Sequence, residues 1–249
     1  MNPRSYIRFS VFKKFPNLIC VFSTRIGGSS KGIYASQNMG LKTGDDASTV
    51  INNRNQFFSQ FGISDKDIAF SDQIHSAKVV VADQSGIYPA SDALITSRKN
   101  LFLAIQTADC FPIFIFDPVR LIIAAIHAGW RGVQAGIIPA TIKLLTNSLE
   151  LNPKNLYAAI GPGLQKECFE VRSDVSRHFP QSFLSDHSDP EKKYLDLSGY
   201  IRRNLIEQEI ETDHIETNGS CTMCNQESFY SYRRDKDQSG RMIGLIGIR

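Results

Sequence analysis

No apolar run in this chain approaches the roughly 18 to 20 residues that a membrane-spanning helix needs. The longest, Leu101 to Ile105, Phe111 to Phe116 and Leu121 to Ile126, have the length of strands. The first residues carry Arg4 and then a mixture of polar and apolar side chains. They lack the continuous apolar region and small-residue cleavage pattern of a secretory signal, so a cytoplasmic protein with no membrane partner is expected. Neither sign of charge dominates: 28 Lys and Arg against 25 Asp and Glu leave a net +3 with no long like-charge block. That excludes the electrostatic footprint of a nucleic-acid-binding protein and leaves any bound anion to be met locally. The five cysteines, Cys20, Cys110, Cys168, Cys221 and Cys224, are odd in number and scattered, which suits reduced thiols or metal ligation better than a disulfide framework. With no internal repeat, low-complexity tract or linker-like stretch, one compact domain spanning residues 1–249 is expected.

What the chain has is apolar periodicity. Lys42 to Asp46 supply N-cap residues, and Val50, Phe57, Phe58 and Phe61 then recur at helical spacing until Gly62. A second helix is predicted from Val133 to Leu149, kinked or restarted at Pro139, and a third after Asp196 and Ser198, carrying Tyr200, Ile201 and Leu205. The β-branched and aromatic runs Val79 to Val81, Leu101 to Thr107, Phe111 to Phe116 and Leu121 to His127 read as buried strands, with later ones at Leu156 to Ile160, Phe229 to Tyr232 and Met242 to Ile248. Runs apolar on both faces need cover on both faces, so an α/β fold of mixed sheet with helices outside is expected.

The most informative segment runs from Gln106 to Gly132. Asp117-Pro118 is the preferred opening of a type I turn, which places Pro118 and Val119 at its centre. In a hairpin closed there Cys110 faces His127, and the thiol and imidazole become cross-strand neighbours. The competing reading is a buried thiol beside a core histidine. His127 leads into Gly129-Trp130-Arg131-Gly132, where an arginine near a helix start suits an anion. Upstream, His75 in Asp72-Gln73-Ile74-His75-Ser76 offers a third donor. His75, Cys110 and His127 would make a two-nitrogen, one-sulfur set suited to zinc with an open fourth position. Their spacing matches no compact zinc signature, so a solvated His75 and a core Cys110 remain open alternatives.

Taken in order, several motifs resemble a known family along almost the whole chain. They are Phe22-Ser23-Thr24-Arg25-Ile26-Gly27-Gly28-Ser29-Ser30, Asn38-Met39-Gly40-Leu41, Gly44-Asp45-Asp46, Asp72-Gln73-Ile74-His75, Ser91-Asp92-Ala93-Leu94-Ile95-Thr96, Thr107-Ala108-Asp109-Cys110, His127-Ala128-Gly129-Trp130-Arg131-Gly132 and Ser231-Tyr232-Arg233-Arg234-Asp235. The family is the laccase-domain, or polyphenol oxidase, family of bacterial proteins, described as zinc-dependent purine nucleoside phosphorylases and peptidoglycan-editing-factor-like. The resemblance implies a four-layer α/β/β/α fold with mixed sheets and a zinc ion held by His75, Cys110 and His127. It also implies phosphorolysis of adenosine, inosine and methylthioadenosine to base and sugar 1-phosphate, and deamination of adenosine, so purine nucleosides and phosphate are the expected partners. Ser76 departs from the glycine that often follows the histidine. Zinc activates water for deamination, with Asp109 as expected proton carrier. Either Arg131 or Arg25 could hold the phosphate, and Ser29, Asn38 and Gln73 are expected substrate contacts.

A multicopper oxidase needs a further histidine-rich cluster, and this chain has five histidines in all. Copper could still occupy a three-ligand site adventitiously, because Cu(II) outranks Zn(II) at equal ligands. Two other readings stay open: a cysteine hydrolase of peptide or cell-wall amides with Cys110 as nucleophile and His127 as base, and a zinc-stapled binding module without turnover. Arg25 to Ser30 reads as an anion nest or an ordinary turn. Cys221-Thr222-Met223-Cys224 reads as packed thiols before half a zinc site or a redox pair, Cys20 and Cys168 as core, and His178, His187 and His214 as solvated.

Overall fold

Side-chain alternation along the central strands decides how the chain is layered. The computed structural model describes residues 5–249, and in it Phe114, Phe116, Ile123 and Ala125 point into one apolar core while Ile113, Ile115, Ala124 and Ile126 point into another. Strands β8 (Phe111–Asp117) and β9 (Ile122–Ala128) are buried along their whole length, as continuous apolar runs require. They belong to a six-stranded mixed sheet ordered β14 (Ile215–Thr217), β10 (Tyr157–Ile160), β8, β9, β6 (Ala93–Thr96), β4 (Val79–Val81). A second six-stranded mixed sheet is ordered β1 (Tyr6–Arg8), β2 (Leu18–Ser23), β15 (Met242–Ile248), β7 (Phe102–Thr107), β3 (Ile68–Ser71), β5 (Gly86–Tyr88).

The two sheets meet through Phe22, Leu103, Ile105, Phe114, Phe116, Ile123 and Ile246. Close approach is built into β15, where a Cβ on Gly244 would lie 2.4 Å from the Phe114 ring. Helix α1 (Ala47–Ser59) covers the second sheet with Phe57 and Phe58 against Val21, Phe102, Ile243 and Leu245. Its N-cap is Asp46, whose side chain accepts the Thr49 amide, satisfying an otherwise orphaned donor. The outer face of the first sheet is covered by α2 (Trp130–Gln134), α3 (Ile137–Lys143) and α5 (Leu197–Glu207), which bury Val133, Ile138, Ile142, Ile201 and Leu205. The result is the expected four layers, helix, sheet, sheet, helix. A small sheet of β11 (Glu170–Arg172), β13 (Lys192–Leu195) and β12 (Leu184–Asp186), with the single turn α4 (Ser173–Ser176), completes the chain alongside α6 (Tyr232–Asp235).

Four local expectations are corrected. The helix expected from Val133 starts at Trp130 and breaks at Gly136, which adopts φ 86°, so Pro139 falls in the first turn of a restarted helix, where its missing N–H costs nothing. Residues Phe229 to Tyr232 are not a strand: Ser231 caps α6 by accepting the Arg234 amide. The hairpin turn spans residues 118–121, because Asp117 Oδ1 accepts both the Val119 and Arg120 amides at 2.7 and 3.1 Å and Leu121 takes φ 53°. Pro112, not Cys110, therefore pairs with His127. Of the histidines expected to be solvated, His178 is exposed, whereas His187 lies half-buried 3.5 Å from Glu170 and His214 half-buried against the Tyr157 ring.

Candidate active site

A two-residue slip in register keeps every side chain on its original face, because strand side chains alternate with period two. Cys110, one residue before β8, and His127, near the end of β9, thus remain on the same side of the sheet as diagonal neighbours. The loop after β3 brings His75 to them. Donor atoms of His75, Cys110 and His127 all lie within 4.8 Å of one another, with Cys110 Sγ 3.8 Å from His75 Nε2. The two imidazoles meet edge to face, centroids 4.8 Å apart. His127 is buried, Cys110 half-buried and His75 exposed, so the group is open on one side.

Glycine is required beside it. A Cβ on Gly129 would stand 2.8 Å from Cys110 Sγ and 3.0 Å from His75 Cδ2. The space between thiol and imidazole is therefore kept clear by the absence of a side chain.

The residue that organises the group is Asp92, at the threshold of β6 and fully buried. Its carboxylate accepts the amides of Ile74, His75 and Ser76 at 3.2, 2.9 and 2.7 Å, the Ser76 hydroxyl at 2.7 Å and His127 Nδ1 at 2.8 Å. These bonds fold the 74–76 turn, hold His75 at φ 61° and fix the proton of His127 on Nδ1, which presents Nε2 to the open side. Burial acts to raise the Asp92 pKa, but the hydrogen bonds from His127 and Ser76 outweigh it and hold the carboxyl well below the usual range. Sequence reading quoted Asp92 in a motif and gave it no role. The available signal was an acidic residue opening a strand otherwise made of Ala93, Leu94 and Ile95.

The thiol and imidazole shift each other. Burial works against the Cys110 thiolate, yet the charge of His127 and hydrogen bonds from both imidazoles bring it down to about 6. Burial likewise works against a charged His127, and the Cys110 charge and the Asp92 bond raise it to about 9. Two imidazole nitrogens and an ionisable thiol are a borderline-soft donor set that suits zinc, and the gap beside Gly129 gives a cation room.

The remaining expected site residues are each engaged in contacts of their own. Asp109, at φ 87°, turns its carboxylate to the Thr222 hydroxyl at 2.6 Å and the Arg233 amide at 2.5 Å, bracing the loop that carries Cys110. Gln73 exchanges two bonds with the backbone of Gln106, both 2.7 Å. Asn38 is buried, donates to Thr43 and Asp45, and accepts the amides of Gly40 and Arg241. Ser29 is exposed, its amide donating to Asn53. Arg25 spends its guanidinium on the carbonyls of Ala35 and Gln226 and stacks 4.6 Å from the Tyr230 ring. Arg131 lies exposed over Trp130.

A different arginine feels the charge of the group. Arg241 is half-buried; burial lowers its pKa while the charges of Cys110 and Asp109 favour the guanidinium. Its Nη1 is anchored on the carbonyls of Ser239 and Gly240 at 2.8 and 2.9 Å, and the exposed Tyr232 ring lies 6.0 Å away. Sequence reading missed it because it lies 110 residues beyond Arg131, between a turn and β15. Arg234, from the same motif as Tyr232, instead braces the carbonyls of Thr222, Met223 and Phe229 and pairs with Asp235.

Among the described residues one other group of three possible metal donors occurs, Cys168, Cys221 and Cys224. Cys168 is half-buried at the edge of the core instead of inside it, whereas Cys20 is buried as expected. His178, His187 and His214 belong to neither group. No helix among the described residues is long and apolar enough to cross a membrane.

The chain is similar to characterised proteins along nearly its whole length. It is 37% identical over 237 residues to a purine nucleoside phosphorylase of Deinococcus radiodurans, covering 94% of this chain and 91% of that one. It is 32% identical to purine nucleoside phosphorylase YlmD of Bacillus subtilis, with 93% and 89% covered. The crystal structure of YlmD from Geobacillus stearothermophilus superposes with a TM-score of 0.93 at 29% identity, covering 100% of this chain and 98% of that one. Residues 19–249 match the family described as multi-copper polyphenol oxidoreductase laccase, and the chain belongs to that family.

Proposed function

We propose that this chain is a zinc-dependent purine nucleoside phosphorylase that cleaves adenosine, inosine and methylthioadenosine with phosphate, and that it also deaminates adenosine. The observation that carries the reading is the open His75, Cys110, His127 group clamped by Asp92. The names of the relatives in Deinococcus radiodurans and Bacillus subtilis support it. His75, Cys110 and His127 would hold the cation, which when bound supplies a Lewis acid and an acidified water at an open position.

This chain's own residues account for the rest. Phosphorolysis breaks the glycosidic C–N bond, joins a phosphate oxygen to the sugar carbon, and returns a proton to the departing base. The dianion must be held against the sugar carbon. With Nη1 anchored, Arg241 keeps Nε and Nη2 for phosphate in the two-pronged geometry a guanidinium favours. Asn38 acts through it, holding the Arg241 backbone amide at 2.9 Å. The exposed rings and alkyl groups of Tyr232 and Ile74 offer apolar surface for the base. Asp92 holds the Nδ1 proton of His127 and so keeps Nε2 directed at the cation. For deamination, which replaces the exocyclic amine with oxygen and releases ammonia, Asp109 beside Cys110 is the proposed proton carrier. It accepts one bond on each oxygen, leaving a lone pair on each.

Purified protein incubated with adenosine or inosine, with and without phosphate, tests this directly. Free base formed only with phosphate supports phosphorolysis, and inosine formed from adenosine without phosphate supports deamination; the absence of both would reject the reading. The depressed Cys110 thiol beside a raised His127 favours a second reading, a cysteine hydrolase acting on amides. The two compete for one sulfur, since a metal-bound thiolate is not a free nucleophile. Alkylation of Cys110 that zinc blocks and chelation restores speaks for the metal enzyme; alkylation indifferent to zinc speaks for the hydrolase.

A further inference from the structure

Three of the four cysteines outside the active site come from two separated segments and converge. Cys221 and Cys224 lie on one turn, and Cys168 arrives from the segment before β11. Cys168 Sγ is 3.2 Å from Cys224 Sγ, and all three sulfurs lie within 4.8 Å of one another. A tetrahedral zinc site with Zn–S bonds of about 2.3 Å spaces its sulfurs about 3.8 Å apart, inside the observed range. A disulfide needs a bond of about 2.05 Å and would leave the third thiol outside it.

The surroundings are those of a thiolate site. Two guanidinium groups flank the trio: Arg233 bonds the carbonyls of Cys168 and Glu170 at 3.4 and 3.0 Å, and Arg234 those of Thr222 and Met223 at 3.2 and 3.0 Å. Three thiolates around a divalent cation leave one net negative charge, which these cations offset. No imidazole or carboxylate belongs to the group, so its softness selects a zinc-class cation over magnesium or calcium. Cys221 is buried and Cys224 exposed, which leaves a fourth position on the solvent side.

We propose that Cys168, Cys221 and Cys224 form a second metal site, a three-thiolate cradle for Zn2+ whose fourth ligand comes from solvent or a small thiol. Binding releases the remaining thiol protons to solvent and changes no oxidation state. The ion staples the segment before β11 to the 221–224 turn. That turn also carries Thr222, whose hydroxyl holds Asp109 at 2.6 Å beside Cys110, so the staple steadies the loop that presents the active-site thiol. The proposal does not depend on the purine reading.

Zinc content of the purified 249-residue chain after equilibrium dialysis tests it. Two ions per chain are expected; Cys110→Ser should remove one and the exposed Cys224→Ser the other. With Co2+ in place of zinc, the Cys110→Ser protein should keep a thiolate-to-cobalt charge-transfer band that the Cys110→Ser/Cys224→Ser protein loses. If the active-site trio binds nothing, the wild type carries one ion that Cys110→Ser leaves in place and Cys224→Ser removes, so the two sites are told apart. On the unmodified chain, zinc should slow alkylation of Cys224 at least about tenfold. A Cys224→Ser protein with wild-type zinc content and wild-type cobalt spectrum, or peptide mapping that finds Cys168 and Cys224 joined by a disulfide that chelation does not alter, would overturn the proposal.

Discussion

The two sulfur-bearing groups of this chain are built on opposite plans. Cys110 and His127 stand at strand ends and His75 on the loop after β3, with both imidazoles held in place by one buried carboxylate, Asp92, that takes five hydrogen bonds. Cys168, Cys221 and Cys224 stand on turns whose carbonyls are braced by Arg233 and Arg234. The first group mixes nitrogen and sulfur and opens beside Gly129. The second offers sulfur alone and has guanidinium groups that are spent on carbonyls. A rigid, asymmetric, open set of donors suits turnover, and an all-thiolate set on turns suits stapling. The Asp109–Thr222 bond joins the two.

The contrast breaks most sharply at Cys110. Cys110→Ser should lower phosphorolysis by about 1,000-fold or more, since a Lewis acid supplies several kcal/mol, while the ion on the cysteine trio stays in place; turnover within tenfold of wild type would dissolve the distinction. Gly129→Ala comes next. Its Cβ would meet Cys110 Sγ at 2.8 Å, and a displacement of that kind costs on the order of 100-fold in turnover, with the circular dichroism of the folded chain retained. Wild-type kinetics in this variant would mean the cleared space is not used. Asp92→Asn keeps the shape but removes the charge that holds the 74–76 turn and His127. The expected loss is about 10- to 100-fold in zinc affinity at the active site, read by chelator competition in the Cys224→Ser background, and an unchanged affinity would deny Asp92 its orienting role.

The smallest effect concerns pH in the chelated protein. Cys110 is brought down to about 6 and His127 raised to about 9, so a thiolate–imidazolium pair exists between those values. The lowered thiol contributes stability above its ordinary value of about 8.5, and that contribution is lost as pH falls through about 6. The raised imidazole contributes fully below its ordinary value of about 6.5, and that contribution is lost as pH rises through about 9. Alkylation of Cys110, followed by peptide mapping, should therefore turn on near pH 6; an inflection at the ordinary thiol value would contradict the pairing.

The layering was legible because it rests on burial. Continuous apolar runs at β8 and β9 demanded cover on both faces, and the caps Asp46 and Asp196 accept the amides of Thr49 and Gly199. Strands β1, β3 and β5 and the small sheet, β11, β13 and β12, were not legible: they are three or four residues long and held by pairing more than by pattern. The hairpin register was misread because Asp117 organises a four-residue turn with its side chain, and turn length is not written in apolar spacing. Cys110 and His127 could be paired because a slip of two preserves the face, and His75 because the family motif contains it. Asp92 and Arg241 could not be placed, since Asp92 meets His127 only through the pairing of β6 with β9 and Arg241 precedes a strand of the other sheet. The same holds for Cys168, whose partners lie more than 50 residues away on a turn.

X-ray absorption at the zinc edge of the Cys168→Ser/Cys224→Ser protein, in which one site remains, tests the central claim most directly. One sulfur and two imidazole nitrogens around a single stoichiometric ion, with phosphorolysis lost on chelation and restored by zinc, is the result expected for His75, Cys110 and His127. An ion without sulfur or imidazole neighbours, or full phosphorolysis from protein that holds no metal, would contradict it.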